Sequence, residues 1–236
     1  MKLQKLLSYV RRAADDYGMI GAGDRIAVGI SGGKDSLTLL AALRAMQVFY
    51  PHAYELRAVT VSLGLSGFDT ANVARWCGEL GVPYTVIDTE IGDIVFNERK
   101  EKNPCSLCAK MRRGALNGEA AVQGCHKVAL GHSMDDLIET FFLSLFYEGR
   151  IHTFRPVTYL DRKNIHTIRP LMYVPEKEII AFARENNLPV IKSPCPADGF
   201  TKREEIKNFV KEQTARDPGF PQKIFGAIQR NSGLWA

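Results

Sequence analysis

Arg25-Ile26-Ala27-Val28-Gly29-Ile30 runs directly into Ser31-Gly32-Gly33-Lys34-Asp35-Ser36, and this twelve-residue stretch decides the reading of the chain. The first half is a short, continuously apolar run of the kind a strand shows when both its faces are covered. The second half opens a helical pattern that continues to about Phe49, so the stretch reads as strand, tight turn, helix. Gly32 and Gly33 let the backbone approach an anion closely, the helix amino terminus adds a favourable field, and Ser31 and Ser36 supply hydroxyl donors. The result is a phosphate cradle. Its spacing is neither that of a Walker A loop nor that of the G-x-G-x-x-G dinucleotide fingerprint.

Working outward, the pattern alternates. Residues 3–17 read as an amphipathic helix, 56–63 as a β-branched strand, 69–80 as a helix and 84–87 as a strand. A helix over 106–123, a strand over 127–130 and a helix over 133–147 follow. Strands alternating with helices imply an α/β fold, a doubly wound parallel sheet with helices on both faces. Residues 165–169 are extended, 175–187 and 204–214 are helical, and the tail beyond Asp217, broken by Pro218, Gly219 and Pro221, has no assigned structure. The expected division is an N-terminal helix in 1–24, a nucleotide-binding α/β body in 25–190 and a C-terminal segment in 191–236.

Composition bounds the function. The chain has 236 residues, 45% hydrophobic and 24% charged, which allows one sizeable core, and no apolar run is long enough to span a membrane. With no signal-peptide pattern at the start, a cytoplasmic protein is expected. The 31 basic against 26 acidic residues give a net charge of +5, with basic residues crowded into 99–113, 150–169 and 202–211, which favours a polyanionic partner over a neutral one. Five cysteines, an odd number, argue against a disulfide framework and for metal or thiol chemistry.

SGGKDS in its strand-turn-helix setting resembles the loop of the PP-loop ATP pyrophosphatase superfamily, which implies ATP binding and pyrophosphate release. A second constellation, Gly131-His132-Ser133-Met134-Asp135-Asp136, lies at the end of another expected strand. Ser133 and Asp136 have capping-box spacing, which leaves Asp135 free. If the first and fourth strands are neighbours at the switch point of the sheet, both loops overhang one crevice, and Asp135 can hold Mg2+ against the phosphates. The expected nucleotide contacts are Ser31, Gly32, Gly33, Lys34, Asp35, Ser36, Val61, Gly131 and Asp135, with Lys34, Asp35 and Asp135 as catalytic candidates.

The third feature is Cys105-Ser106-Leu107-Cys108, at a helix start where thiolates are stabilised and where Arg112 falls one turn from Cys108. The spacing suits a metal, an iron-sulfur cluster or a reactive thiol pair. Cys195, in Ser193-Pro194-Cys195-Pro196, is a third candidate ligand. Cys77 and Cys125 lack ligand spacing and read as buried structural thiols. The histidines form no metal pattern, although His132 abuts the expected crevice.

Taken together, Asp24-Arg25-Ile26, SGGKDS, CSLCAKMRRGAL at 105–116, ALGHSMDD at 129–136, FFLSLFYEGR at 141–150, Ile168-Arg169-Pro170-Leu171 and the Cys195 region resemble the tRNA 2-thiocytidine synthetase family over most of residues 5–212. The resemblance implies a Rossmann-like PP-loop fold with a cysteine-bearing insertion and a small C-terminal helical part. It implies a 4Fe-4S cluster held by Cys105, Cys108 and Cys195 with one iron free to carry sulfur, and ATP-driven adenylylation of a tRNA cytidine at its C2 carbonyl. Lys34, Arg112 and Arg113 are candidate contacts to phosphate or RNA. Implied partners are tRNA and a sulfur donor such as a cysteine desulfurase or free sulfide, with a homodimer as a candidate assembly. The family often has a second Cys-x-x-Cys, whereas Lys192 stands three residues before Cys195 here, which removes a fourth protein ligand. Other readings are a PP-loop ligase or thiolase acting on another base or a small molecule through a cysteine persulfide, and a non-catalytic metal-bearing RNA-binding or redox protein.

Overall fold

The computed structural model describes residues 2–99, 104–196 and 202–231, apart from the side chain of Arg162. In chain order the elements are α1 (Leu3–Asp16), β1 (Asp24–Gly29), α2 (Lys34–Met46), β2 (Tyr54–Ser62), α3 (Ala71–Glu79) and β3 (Tyr84–Asp88). Then come α4 (Ile91–Asp93), which continues as a π-helical turn over Ile94–Glu98, α5 (Pro104–Val122), β4 (Lys127–Ala129) and α6 (Met134–Tyr147). The chain ends with β5 (Val157–Leu160), β6 (Ile165–Ile168), α7 (Glu176–Glu185), α8 (Lys202–Arg216) and α9 (Phe220–Arg230).

The strands form one six-stranded sheet in the order β3-β2-β1-β4-β6-β5. All pairings are parallel except that of β5, which runs antiparallel to β6 at the edge. The order reverses at β1, whose Ile26 and Val28 lie opposite Lys127 and Ala129 of β4. The condition set on the first and fourth strands is met, and the loops after β1 and β4 share the carboxyl edge of the sheet. Successive β1 side chains point to opposite faces. Ile26 and Val28 join one apolar cluster with α1, α2 and α6, while Ala27 joins another with Val59, Val128 and the α5 residues Leu116 and Ala120. Both faces are covered, as a continuously apolar strand requires.

Leu6 and Val10 of α1, Ile206 and Val210 of α8, and Phe225 and Ile228 of α9 are buried in that first cluster. Helices α1, α8 and α9 thus pack onto the same core as the body between them. Among the described residues, no helix is long and apolar enough to cross a membrane.

Three departures from the sequence reading have physical causes. The unassigned tail contains α9, with Pro221 in its first turn, where a missing N–H costs nothing. The short edge strand β5 was not expected at all. Helix α2 stops at Met46, three residues before the expected Phe49: Val48 and Phe49 tighten into i→i−3 hydrogen bonds, and Tyr50 precedes Pro51, which disfavours helical backbone.

Candidate functional site

The loop between β1 and α2 is tied to itself. Ser36 Oγ accepts from Ser31 N at 3.1 Å and donates to Gly33 O at 3.0 Å, and Ser31 Oγ lies 3.2 Å from Ser36 Oγ. Gly32 has φ +80°, which a residue with a Cβ adopts only under strain. An added Cβ would also stand 3.0 Å from the Cβ and Cδ1 of Ile191, whose N–H donates to Gly32 O at 2.9 Å. Gly33 caps α2 with no side-chain hydrogen bond, so the first-turn N–H groups carry no internal side-chain cap. Gly131, after β4, packs so closely that an added Cβ would meet the backbone of Asp35 and Ser36 at 3.0 Å.

Helix α6 starts on the expected capping box: Asp136 N donates to Ser133 Oγ at 3.2 Å, and Ser133 N donates to Asp136 Oδ2 at 2.8 Å. Asp135 is not free, contrary to the sequence reading. Its Oδ2 accepts from Glu176 N at 2.6 Å, capping the start of α7. Burial pushes the carboxyls of both Asp35 and Asp135 above the usual range; Lys34 works against the shift at Asp35, as the Glu176 N–H does at Asp135. Partly buried carboxylates whose partners do not fully offset the cost of burial suit a hard cation with oxygen ligands.

These groups line a polar cavity of about 270 Å³ together with Lys34, Glu176, Arg203 and Lys207. Lys34 Nζ reaches Asp35 Oδ2 at 3.0 Å and Glu176 Oε1 at 2.9 Å, and Lys207 Nζ reaches the same Glu176 oxygen at 3.0 Å. Burial opposes the charge on Lys34, but Asp35 and Glu176 outweigh it and hold the ammonium above its ordinary value. Burial likewise opposes the Glu176 charge, and the two lysines hold its carboxyl low. Glu176, Arg203 and Lys207 were missed from sequence, where Glu176 reads only as the first turn of a helix.

On the other side of the loop a second cavity, also about 270 Å³, is lined by Ser31, Gly33, Val61, Cys108, Arg112 and Cys195, among others. Cys105 and Cys108 occupy the first turns of α5, Cys105 exposed and Cys108 buried. Cys195 follows the stretch anchored at Ile191 and is half-buried. The expected helix-terminus thiolate is not what the surroundings of Cys108 favour: burial pushes its thiol up, Arg112 pulls the other way, and Cys195 and Cys105 are both near enough to add to the rise. A soft, thiophilic metal centre would reverse that preference. Among the described residues no three Cys, His, Asp or Glu side chains gather as ligands of one metal ion. A four-iron cluster asks something different, because each thiolate binds its own iron. Cys108 and Cys195 on one cavity, with Cys105 near enough to Cys108 to act on its thiol, fit that demand. Cys77 and Cys125 are buried in the core, as expected.

A larger cavity of about 420 Å³ lies between these two, over the ends of β1, β2, β4 and β6 and against α5. Ser31, Val61 and Arg112 are shared with the thiol cavity, and Asp35 and Asp136 with the polar one. His132 lines it. Burial, reinforced by the Arg169 charge, lowers the imidazole to about 4, so it is neutral at physiological pH. The expected residues Ser31, Gly33, Lys34, Asp35, Ser36, Val61, Gly131, Asp135, Cys108 and Cys195 all line one or another of these three adjoining cavities. Cys105 and Gly32 line none of the three, although Cys105 lies near Cys108.

The chain is similar to known proteins along nearly its whole length. The model of the PP-loop domain matches residues 6–214. A tRNA-cytidine(32) 2-sulfurtransferase of Geobacter sulfurreducens is 38% identical over 231 residues, 97% of this chain and 90% of the relative. The protein of the same name from Coxiella burnetii is 36% identical over 233 residues, 95% of this chain and 89% of the relative. Among solved structures, the U34-tRNA thiolase NcsA from Methanococcus maripaludis with its [4Fe-4S] cluster superposes with a TM-score of 0.78 at 26% identity, covering 96% of this chain and 77% of that one. An NH3-dependent NAD synthetase from Campylobacter jejuni, at 18% identity and a TM-score of 0.52, shares the fold.

Proposed function

The chain belongs to the PP-loop family, among its tRNA-cytidine 2-sulfurtransferases, and from that premise we propose that it replaces the C2 oxygen of cytidine 32 in tRNA with sulfur. It is an ATP-dependent tRNA 2-thiolation enzyme that uses an iron-sulfur cluster. The observation that carries the reading is that the phosphate loop and the thiols Cys108 and Cys195 open onto one cavity.

The chemistry divides along that cavity. The cytidine C2 oxygen attacks the α-phosphorus of ATP, pyrophosphate departs, and a poor leaving oxygen becomes part of an adenylate. Sulfur then adds at C2, and AMP leaves with the original oxygen. Gly32, Gly33 and the uncapped N–H groups of α2 receive phosphate oxygens, with Ser31 and Ser36 donating hydroxyls. Asp35 and Asp135 would hold Mg2+, and Lys34 and Lys207, released from Glu176, meet the charge of the departing pyrophosphate. Val61 contacts the nucleotide, and Arg112 and Arg113 contact phosphate or RNA. Cys105, Cys108 and Cys195 would hold a 4Fe-4S cluster, which would supply a place for the incoming sulfur. The body over 25–190 carries the ATP chemistry, and 191–236 adds Cys195 and the cations of α8. Free sulfide, or a cysteine desulfurase together with a two-electron thiol reductant for its persulfide sulfur, serves as sulfur donor, and the enzyme acts in the cytoplasm as a homodimer.

Nucleoside analysis of tRNA from cells with and without the gene tests the reading. Loss of 2-thiocytidine is expected. An unchanged profile would sink the substrate assignment and point to another base.

A further inference from the structure

In the polar cavity one carboxylate oxygen gathers two ammoniums. Glu176 Oε1 lies 2.9 Å from Lys34 Nζ and 3.0 Å from Lys207 Nζ. The three residues come from three elements, Lys34 from the start of α2, Glu176 from the start of α7 and Lys207 from α8. The Glu176 side chain is 20% exposed and that of Lys34 29%, so the pairing is more than a solvated surface contact. A carboxylate oxygen and a phosphate oxygen make the same charge-assisted bond to an ammonium, so either can occupy that place.

The charges around it say which group can give way. Three cations, Lys34, Arg203 and Lys207, line the cavity against six carboxylates. An anion entering that excess of negative charge is opposed until a carboxylate retreats. Asp136 is fastened to the cap of α6 by Ser133 N at 2.8 Å, Asp135 to the start of α7 by Glu176 N at 2.6 Å, and the buried Glu139 to Arg203 at 3.2 Å. Glu176 is fastened differently. Its carboxylate is bonded to the ends of two lysine side chains, while its backbone N–H is what holds Asp135. The side chain can therefore swing out without releasing Asp135 or the first turn of α7.

We infer that Glu176 is a positioning residue for the leaving group: a resident anion that sits between Lys34 and Lys207 in the empty site, yields that place to the phosphates, and takes it back as pyrophosphate departs. The inference rests on the proposed adenylylation, which releases pyrophosphate. Glu176 makes and breaks no covalent bond in the reaction. It sets how tightly the product is held, because the apparent affinity for pyrophosphate falls with the fraction of molecules in which the two lysines are free. Ammoniums left permanently open would bind pyrophosphate more tightly and let it go more slowly.

The test titrates the full-length protein with pyrophosphate in the presence of Mg2+, by calorimetry, for wild type, Glu176→Gln and Glu176→Asp. Glutamine keeps the length and the backbone N–H but not the charge. Aspartate keeps the charge and the N–H but is one methylene shorter, so it no longer spans to both lysines. Glu176→Gln should tighten pyrophosphate binding about five- to fiftyfold and Glu176→Asp about two- to tenfold. Pyrophosphate should become a stronger inhibitor of ATP turnover in the same order. Tightening in Glu176→Gln alone overturns the displacement, since a carboxylate that acted only through its field would act equally as aspartate. Weaker binding in Glu176→Gln overturns it too, because Glu176 would then be a partner of the bound Mg2+ and pyrophosphate. Unchanged affinity in variants that melt normally reduces Glu176 to a structural bridge and likewise overturns it. Should Glu176→Gln fail to fold, Glu176→Asp decides the matter: tighter binding supports the displacement, and unchanged or weaker binding overturns it. A wild-type protein that makes no 2-thiocytidine while both variants tighten pyrophosphate overturns the proposed function and supports this inference; thiolation by wild type with no change in the variants does the reverse.

Discussion

Gly32→Ala isolates what the phosphate loop demands of its sequence. Two costs add. Alanine at φ +80° carries a left-handed penalty of about 1–2 kcal/mol. Its Cβ would also lie 3.0 Å from Ile191 Cβ and Cδ1 and 3.2 Å from Cγ1, and forcing a methyl into such a contact costs about 1–3 kcal/mol. The total is about 2–5 kcal/mol. Gly81→Ala is the control, because Gly81 has φ +67° and open space within 4 Å, leaving only the first cost of about 1–2 kcal/mol. At about 2–4 °C per kcal/mol for a chain of this size, the control should lower Tm by about 2–8 °C and Gly32→Ala by about 4–20 °C. If the loop yields in place of the fold, the missing melting shift should reappear in ATP affinity, tenfold for about every 1.4 kcal/mol. Thermal melts and ATP titration of both variants give the numbers. The reasoning is refuted if Gly32→Ala matches Gly81→Ala in both assays.

Other perturbations separate the parts of the site. Asp35→Ala should abolish pyrophosphate release while leaving the visible absorbance of the cluster intact, and release at the wild-type rate would remove Asp35 from the ATP chemistry. Cys195→Ser should lose that absorbance and all thiolation, yet still bind ATP; full thiolation would eliminate a three-cysteine cluster. Burial, reinforced by Asp136, pushes Glu139 from 4.5 up to about 7, so the folded state holds its proton more tightly than the unfolded chain does. Stability from this group is present below pH 4.5 and lost as pH rises towards about 7, by up to roughly 3 kcal/mol, so Glu139→Gln should gain Tm over wild type between those values. The opposite slope of His132, whose pKa is depressed from 6.5 to about 4, is common to both proteins and cancels in the comparison. A difference in Tm that does not vary with pH would contradict the assignment.

How much of this was legible in the sequence depended on how local each interaction is. The loop was readable because strand, glycines and helix start are contiguous, and the Ser133 and Asp136 cap because its partners are three residues apart. The neighbouring of β1 and β4 entered the reading only as a condition, because the alternation of strands and helices narrows the topologies without fixing the strand order. Asp135 was read as free because its partner, the N–H of Glu176, lies 41 residues on and becomes visible only once α7 is docked. Glu176, Arg203 and Lys207 were invisible for the same reason, since their meaning lies in pairings across helices. α9 was hidden by Pro218, Gly219 and Pro221, which mark a break or a helix start equally well. β5 is short, half-exposed and held by a single partner strand, so no apolar alternation announces it.

The least legible relation is also the one that joins the two halves of the chemistry. Cys195 follows Ile191 by four residues, and Ile191 is bound to the phosphate loop twice, by its N–H to Gly32 O and by its side chain against the space a Cβ would need. A side chain at position 32 would crowd that approach, so in the proposed site one glycine would serve both the nucleotide, through its left-handed turn, and the thiol segment, through its missing side chain. The loop motif and the third cysteine are consequently parts of one local structure, although about 160 residues of chain separate them. A change at Gly32 should therefore disturb cluster retention as well as ATP binding, whereas a change at Ser36, whose bonds stay within the loop, should disturb ATP binding alone. Parallel loss of cluster absorbance in Ser36→Ala would break this distinction.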